Sequence, residues 1–163
     1  MKSKDIMSKT ETGCCPRFDP KTWDNKTVTW ENKIFAKSRI TSFLHIPLNI
    51  GRVIKNLIKK IDDVDAISSD LFMLFDENSL WGADLYIEVT KDVLGAKMSK
   101  ISGTFMTKVF EGPYSNMGKW AKEMESYVSK KGKKVKKMYF HYTTCPNCAK
   151  HYGKTYTVLF AQV

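Results

Sequence analysis

Two short segments constrain this chain more than anything else in it: NIGRVIKNL at 49–57 and NMGKWAKEM at 116–124. Laid over each other they agree at Asn, at Gly and at every inward apolar position. Each follows a proline (Pro47, Pro113) by two or three residues, and each proline follows a stretch that favours a strand. Self-similarity of this kind is the mark of duplication. Around the first segment, residues 33–46 read as a strand and apolar groups at 50, 53, 54, 57, 58, 61 and 64 form one helical stripe. LFMLF (71–75) reads as a short buried strand, DENSLWG (76–82) as a turn, and ADLYIEV (83–89) alternates as a half-buried strand does. Around the second, a strand at 104–110 leads into a helix from about Asn116. Strands at 137–144 and 155–162 follow, joined by a loop containing CPNC. The predicted fold is therefore α+β, a tandem β-α-β-β repeat with antiparallel sheets, helices on one face and a ligand cleft on the other. The repeats span about 33–90 and 101–163. An arm of turns at 13–32, anchored by Phe18, Trp23 and Trp30, precedes them, and residues 1–12 read as a flexible tail, the remainder forming one domain over 13–163.

Bulk properties restrict the function classes. Hydrophobic residues make up 42% of the 163, enough for a packed interior. The longest apolar run is the five residues LFMLF, so no membrane segment is expected, and the polar start MKSKDIMSKTE is no secretory leader; a cytoplasmic location follows as an expectation. The net charge of +10 is almost wholly lysine, with arginine only at 17, 39 and 52. Base-reading proteins lean on arginine forks and recognisable helical or finger motifs, so these lysines read as solvated surface, not as a nucleic-acid footprint. The oligomeric state is left open by the sequence.

Sheet alternation picks out the candidate site. On 83–89, Ala83, Leu85, Ile87 and Val89 take one face and Asp84, Tyr86 and Glu88 the other, open face. A carboxylate among aromatics on such a face can act as a general base, although an exposed polar residue on a half-buried strand is the plainer reading of Glu88. Glu111 is the second acid, with a helix-start position as its plainer explanation. The histidines, 45, 141 and 151, share no metal-ligand spacing. The cysteines lie as Cys14-Cys15 and Cys145-x-x-Cys148. No cofactor is expected. The alternatives are reduced thiols without a further role and a structural zinc on all four, for which an adjacent pair is an unusual second half.

VFEGPYSNMGKW resembles the signature of GyrI-like small-molecule-binding domains, which are tandem β-α-β-β folds. TGCCPRFDPKTWDNKTVTW, FLHIPLNIG, WGADLYIEV and YFHYTTCPNCAKHYG resemble a stand-alone branch of that family, often described as hydrolases, and the resemblance covers about residues 12–163. It implies a cleft between the repeats for bulky, flat compounds as small-molecule ligands. Its related cyclopropanoid hydrolases open the strained ring of DNA-alkylating natural products, a detoxifying activity; other relatives only bind drugs. By the same resemblance Glu88 and Glu111 fall on the family's glutamates as catalytic candidates. Trp81, Tyr86, Phe110, Tyr114 and Tyr139 would line the cleft.

Overall fold

A computed structural model describes residues 1–163. Seven strands and four helices alternate along the chain, so the class is α+β, and the strand pairings described below are antiparallel. The chain divides into two units, one made of Met1–Ser8 and Asn32–Ile101, the other of Lys9–Glu31 and Ser102–Val163.

In the first unit, β1 (Lys26–Phe43, of which this unit takes the part from Asn32) pairs with β2 (Ile46–Pro47) and with β4 (Gly82–Glu88), and β4 pairs in turn with β3 (Met73–Ser79). Helix α2 (Ile50–Asp63) buries Leu57 and Ile61, the centre of the apolar stripe read from the sequence. Ala83, Leu85, Ile87 and Val89 are all buried, as alternation requires. Three local details go beyond the sequence pattern. The stretch 76–82 is largely strand, because β3 and β4 form a tight hairpin with an irregularity between Asp76 and Ser79. Asn49 occupies the N-cap position of α2, yet its side chain accepts a hydrogen bond from the Thr41 backbone N–H at 2.9 Å instead of capping the helix. The opening residues are not a featureless tail: α1 (Ser3–Met7) is helical, and the Ser3 N–H donates to Asp62 Oδ1 at 2.8 Å. Lys2 adds an ion pair to Asp65 at 3.0 Å, so local polar contacts that hydropathy cannot register order this segment.

In the second unit, β5 (Lys97–Glu111, from Ser102 here) and β6 (Lys137–Tyr142) flank β7 (Tyr156–Gln162). Helix α3 (Met117–Lys130) buries Trp120, Met124 and Val128. Phe105, Val158, Leu159 and Phe160 are fully buried and form the interior of this unit with them. The arm is held by rings: Trp23 meets Phe160 at 5.0 Å, Trp30 meets Phe105 at 4.5 Å, and Phe18 meets Tyr156 at 5.6 Å. Each contact buries large apolar area, which is what a Trp-rich arm contributes. The segment expected to be a plain CPNC loop contains α4 (Pro146–Tyr152). Pro146 begins it, where a missing N–H costs nothing, and Gly153 ends it at φ 73°.

No helix of the chain is long and apolar enough to cross a membrane.

Candidate functional site

Strand β4 of the first unit carries the strongest acid candidate. Tyr86 and Glu88 project to the same side, Tyr86 almost fully buried and the Glu88 side chain 24% exposed. The β1–β4 register places Phe35 opposite Glu88, Lys37 opposite Tyr86 and Arg39 opposite Asp84. Diagonal reach across such a pair suits long side chains. Lys33 uses it: its Nζ lies 2.7 Å from Glu88 Oε1 and 5.9 Å from the Phe72 ring centre. Lys37 does the same one step along, with Nζ 3.2 Å from Asp84 Oδ2 and 5.3 Å from the Tyr86 ring centre. Phe35 meets Tyr86 edge-on at 6.2 Å. The result is a strip of alternating carboxylates and ammonium groups laid over an aromatic floor.

Asp84 is the most heavily partnered acid of the strip. Arg39 Nη1 donates to it at 3.2 Å and Asn78 Nδ2 at 3.0 Å, in addition to Lys37. Burial works against its ionisation, but the hydrogen bonds from Lys37, Arg39 and Asn78 outweigh burial and hold the carboxyl below its usual range. Burial likewise works against the Lys37 charge, and the Asp84 and Tyr86 contacts outweigh it, so its ammonium titrates above the ordinary lysine range. A pocket of about 670 Å³ opens beside this strip, lined by Lys37, Arg39, Asp84 and Lys97 with Asn56 and Leu57 of α2. Trp81, in the β3–β4 turn, is 62% exposed and packs on Phe43 at 5.7 Å.

The remaining candidates belong to the second unit. Glu111 ends β5, well exposed, 3.8 Å from Lys154 Nζ. Phe110 is buried and stacks on Trp120 at 5.7 Å, and Tyr139 is buried 6.2 Å from Phe105. Tyr114 meets Tyr142 edge-on at 5.0 Å and donates its hydroxyl to the Thr144 carbonyl at 2.6 Å. Burial pushes its phenol up.

All four cysteines come together in this unit, with every Sγ within 4.8 Å of the others. None forms a disulfide. Cys14 and Cys15 sulfurs are 3.6 Å apart, the Cys145 N–H donates to Cys15 Sγ at 3.4 Å, and the Cys148 thiol meets Thr12 Oγ1 at 3.3 Å. Burial opposes ionisation of Cys148. Its hydrogen bonds with Thr12, Cys15 and Cys145 outweigh that and bring the thiol down to about 7, while burial pushes Cys15 up. Four sulfurs so placed are at a distance compatible with binding one metal ion.

Sequence reasoning missed Lys33, Lys37 and Arg39 as neighbours of the acids. Their odd-numbered spacing with Phe35 was the available signal, but register decides which strand they face. It also missed Thr12, Arg17 and Tyr152 around the cysteines, for which no spacing rule exists.

Two solved structures, both described as hydrolases from Listeria innocua, share this fold. Each superposes with a TM-score of 0.58 at 12% identity, one covering 84% of this chain and 90% of its own, the other 86% and 92%. At that identity the likeness concerns the fold alone. No curated protein sequence matches the chain. The bacterial hydrolase family profile matches residues 5–163, and the chain belongs to that family.

Proposed function

We propose that this chain is a hydrolase of bulky, planar, apolar small molecules, and that its substrates carry a reactive cyclopropane whose opening by water removes a genotoxin. The observation that carries this reading is the half-buried Glu88 carboxylate beside the Tyr86 ring, with the Lys33 ammonium 2.7 Å away. Membership of a hydrolase family supports it. In the reaction, a water oxygen bonds to a ring carbon and the strained C–C bond breaks. The bonding pair moves into the conjugated carbonyl as an enolate, Glu88 takes the proton that water releases, and the enolate is finally protonated. The net change is addition of one water. Cationic donors of the Lys33 type favour the charge that develops on the carbonyl oxygen. Trp81 and Tyr86 of the same unit supply aromatic surface for a flat ligand, and Glu111, Phe110, Tyr114 and Tyr139 of the second unit are further candidate residues.

The fold reading that goes with it is a duplicated β-α-β-β unit. It draws support from α2 and α3, both 14 residues long and each starting directly after an asparagine, Asn49 and Asn116. A second reading, binding or sequestration of such compounds without conversion, is favoured by the engagement of Glu88 with Lys33. Incubation with a cyclopropane-bearing alkylator, followed by mass spectrometry, separates the two. Gain of one water with wild type and not with Glu88→Gln supports hydrolysis. Equal binding by both proteins without conversion favours sequestration.

A further inference from the structure

The paired cysteines have no part in the hydrolytic reading, and their arrangement is too specific for four independent thiols. They arrive from opposite ends of the chain, Cys15 and Cys145 being 130 residues apart, and still place four sulfurs within 4.8 Å of one another. Four sulfurs each about 2.3 Å from a tetrahedral zinc lie about 3.8 Å from their neighbours. The Cys14–Cys15 separation of 3.6 Å is already of that size.

Local backbone explains how adjacent cysteines can both serve. Gly13 turns the chain at φ 67°, a conformation a glycine adopts without the Cβ penalty, directly before the pair. Thr12 Oγ1 donates to the Cys15 carbonyl at 3.2 Å and Tyr152 Oη donates to the same carbonyl at 2.6 Å, fixing the pair from two sides. On the other side, Cys145 precedes α4 and Cys148 sits in its first turn, so the Cys-Pro-Asn-Cys spacing turns both thiols to one point. The Cys145 N–H directed at Cys15 Sγ is the kind of outer contact that stabilises a metal thiolate. Arg17 spans Glu11 at 2.9 Å and the Tyr152 ring at 4.7 Å, which ties the arm to α4 beside the cysteines.

We propose that Cys14, Cys15, Cys145 and Cys148 hold one structural Zn²⁺ that clamps the arm onto α4. Four protein ligands complete the tetrahedron and leave no position for water, which makes the centre structural and not catalytic. A pocket of about 420 Å³, lined by Thr12, Cys14, Cys145, Asn147, Cys148 and His151, reaches the sulfurs and gives the ion and its chelators a way in. This inference stands whether or not the chain hydrolyses anything.

The test uses the full chain, purified under reducing conditions and reconstituted with zinc. Elemental analysis is expected to give about one zinc per chain, and a cobalt-loaded sample to show the intense visible bands of tetrahedral Co²⁺–thiolate. Cys145→Ser and Cys148→Ser should each lose the zinc, while His151→Ala keeps it. Should the serine variants fail to fold, the wild type decides: removal of zinc by a strong chelator must free four thiols for titration and expose Arg17 and Lys21 to trypsin. A folded wild type with less than about half an equivalent of zinc overturns the proposal. So does a red, iron-loaded protein, a mass showing disulfides in the reduced preparation, or loss of zinc from His151→Ala.

Discussion

Lys33 and Glu88 form a close ion pair, Nζ to Oε1 at 2.7 Å, across a diagonal of the β1–β4 ladder and above the Phe72 ring. Both side chains are about three-quarters buried, at 28% and 24% exposure, so the pair is not one of the loose surface contacts that contribute little. Under the hydrolytic reading the two residues divide the work, one taking a proton and the other facing negative charge. Glu88→Gln should reduce turnover by about 10²- to 10⁴-fold with ligand affinity kept within severalfold. Lys33→Met should lower turnover while retaining the fold. Steady-state kinetics beside a binding titration measures both, and unchanged turnover in Glu88→Gln removes the general-base assignment.

Asp84 sets an acid limit on stability. Its carboxyl is held below the usual range by Lys37, Arg39 and Asn78 against the opposing effect of burial. The folded state thus prefers the ionised form more than the unfolded chain does. The stabilisation is fully present above the unfolded value, about 3.9, and is lost as pH falls through the lower folded value. Asp84→Asn should destabilise the protein at pH 7 and leave a smaller difference from wild type near pH 2. Denaturant midpoints at the two pH values decide it; a difference that is the same at both refutes the linkage.

Thr157 offers a gain. Its side chain on β7 is fully buried and its hydroxyl has no hydrogen-bond partner. An unsatisfied buried hydroxyl costs about 1–3 kcal/mol, and valine has nearly the same shape. Thr157→Val should raise the melting temperature by several degrees, with unchanged circular dichroism. A lower melting temperature would mean that the hydroxyl has a role in the folded state after all.

Gly82 begins β4 at a point where the strands leave no room. A Cβ there would stand 2.5 Å from the Ile40 carbonyl oxygen, a backbone atom that cannot swing away, and 2.9 Å from the Arg39 guanidinium. Gly82→Ala should cost about 1–3 kcal/mol through strain where β4 pairs with β1. Gly51, with open space around it, is the control, and Gly51→Ala should be neutral or slightly stabilising. Chemical denaturation of the two variants tests the contrast.

The sequence was most legible where periodicity is strong. The helices Ile50–Asp63 and Met117–Lys130 lie within a residue or two of their apolar stripes, and the buried set Ala83, Leu85, Ile87, Val89 follows from alternation alone. It was least legible where single contacts rule. Asn49 stands at the N-cap position of its helix, but a strand N–H at Thr41 takes its side-chain oxygen. Helix Pro146–Tyr152 carries too few apolar residues to show a stripe, and Ser3–Met7 is ordered by one carboxylate, Asp62, 59 residues away. The acids were legible as candidates and their cationic neighbours were not, because only register tells Lys33 which strand it faces. The convergence of the four cysteines was legible only as one of two alternatives, since an adjacent pair has no standard partner spacing.

The division of the chain also orders its birth. Every residue of the first unit has left the ribosome once Ile101 is out, so that unit can close while the rest is still being made. The arm Lys9–Glu31 emerges early but belongs with Ser102–Val163. Trp23 and Trp30 must therefore wait, unshielded, for Phe160 and Phe105, and Cys15 waits for Cys145, made 130 residues later. During synthesis this stretch is the one that holdase chaperones and premature thiol oxidation can reach.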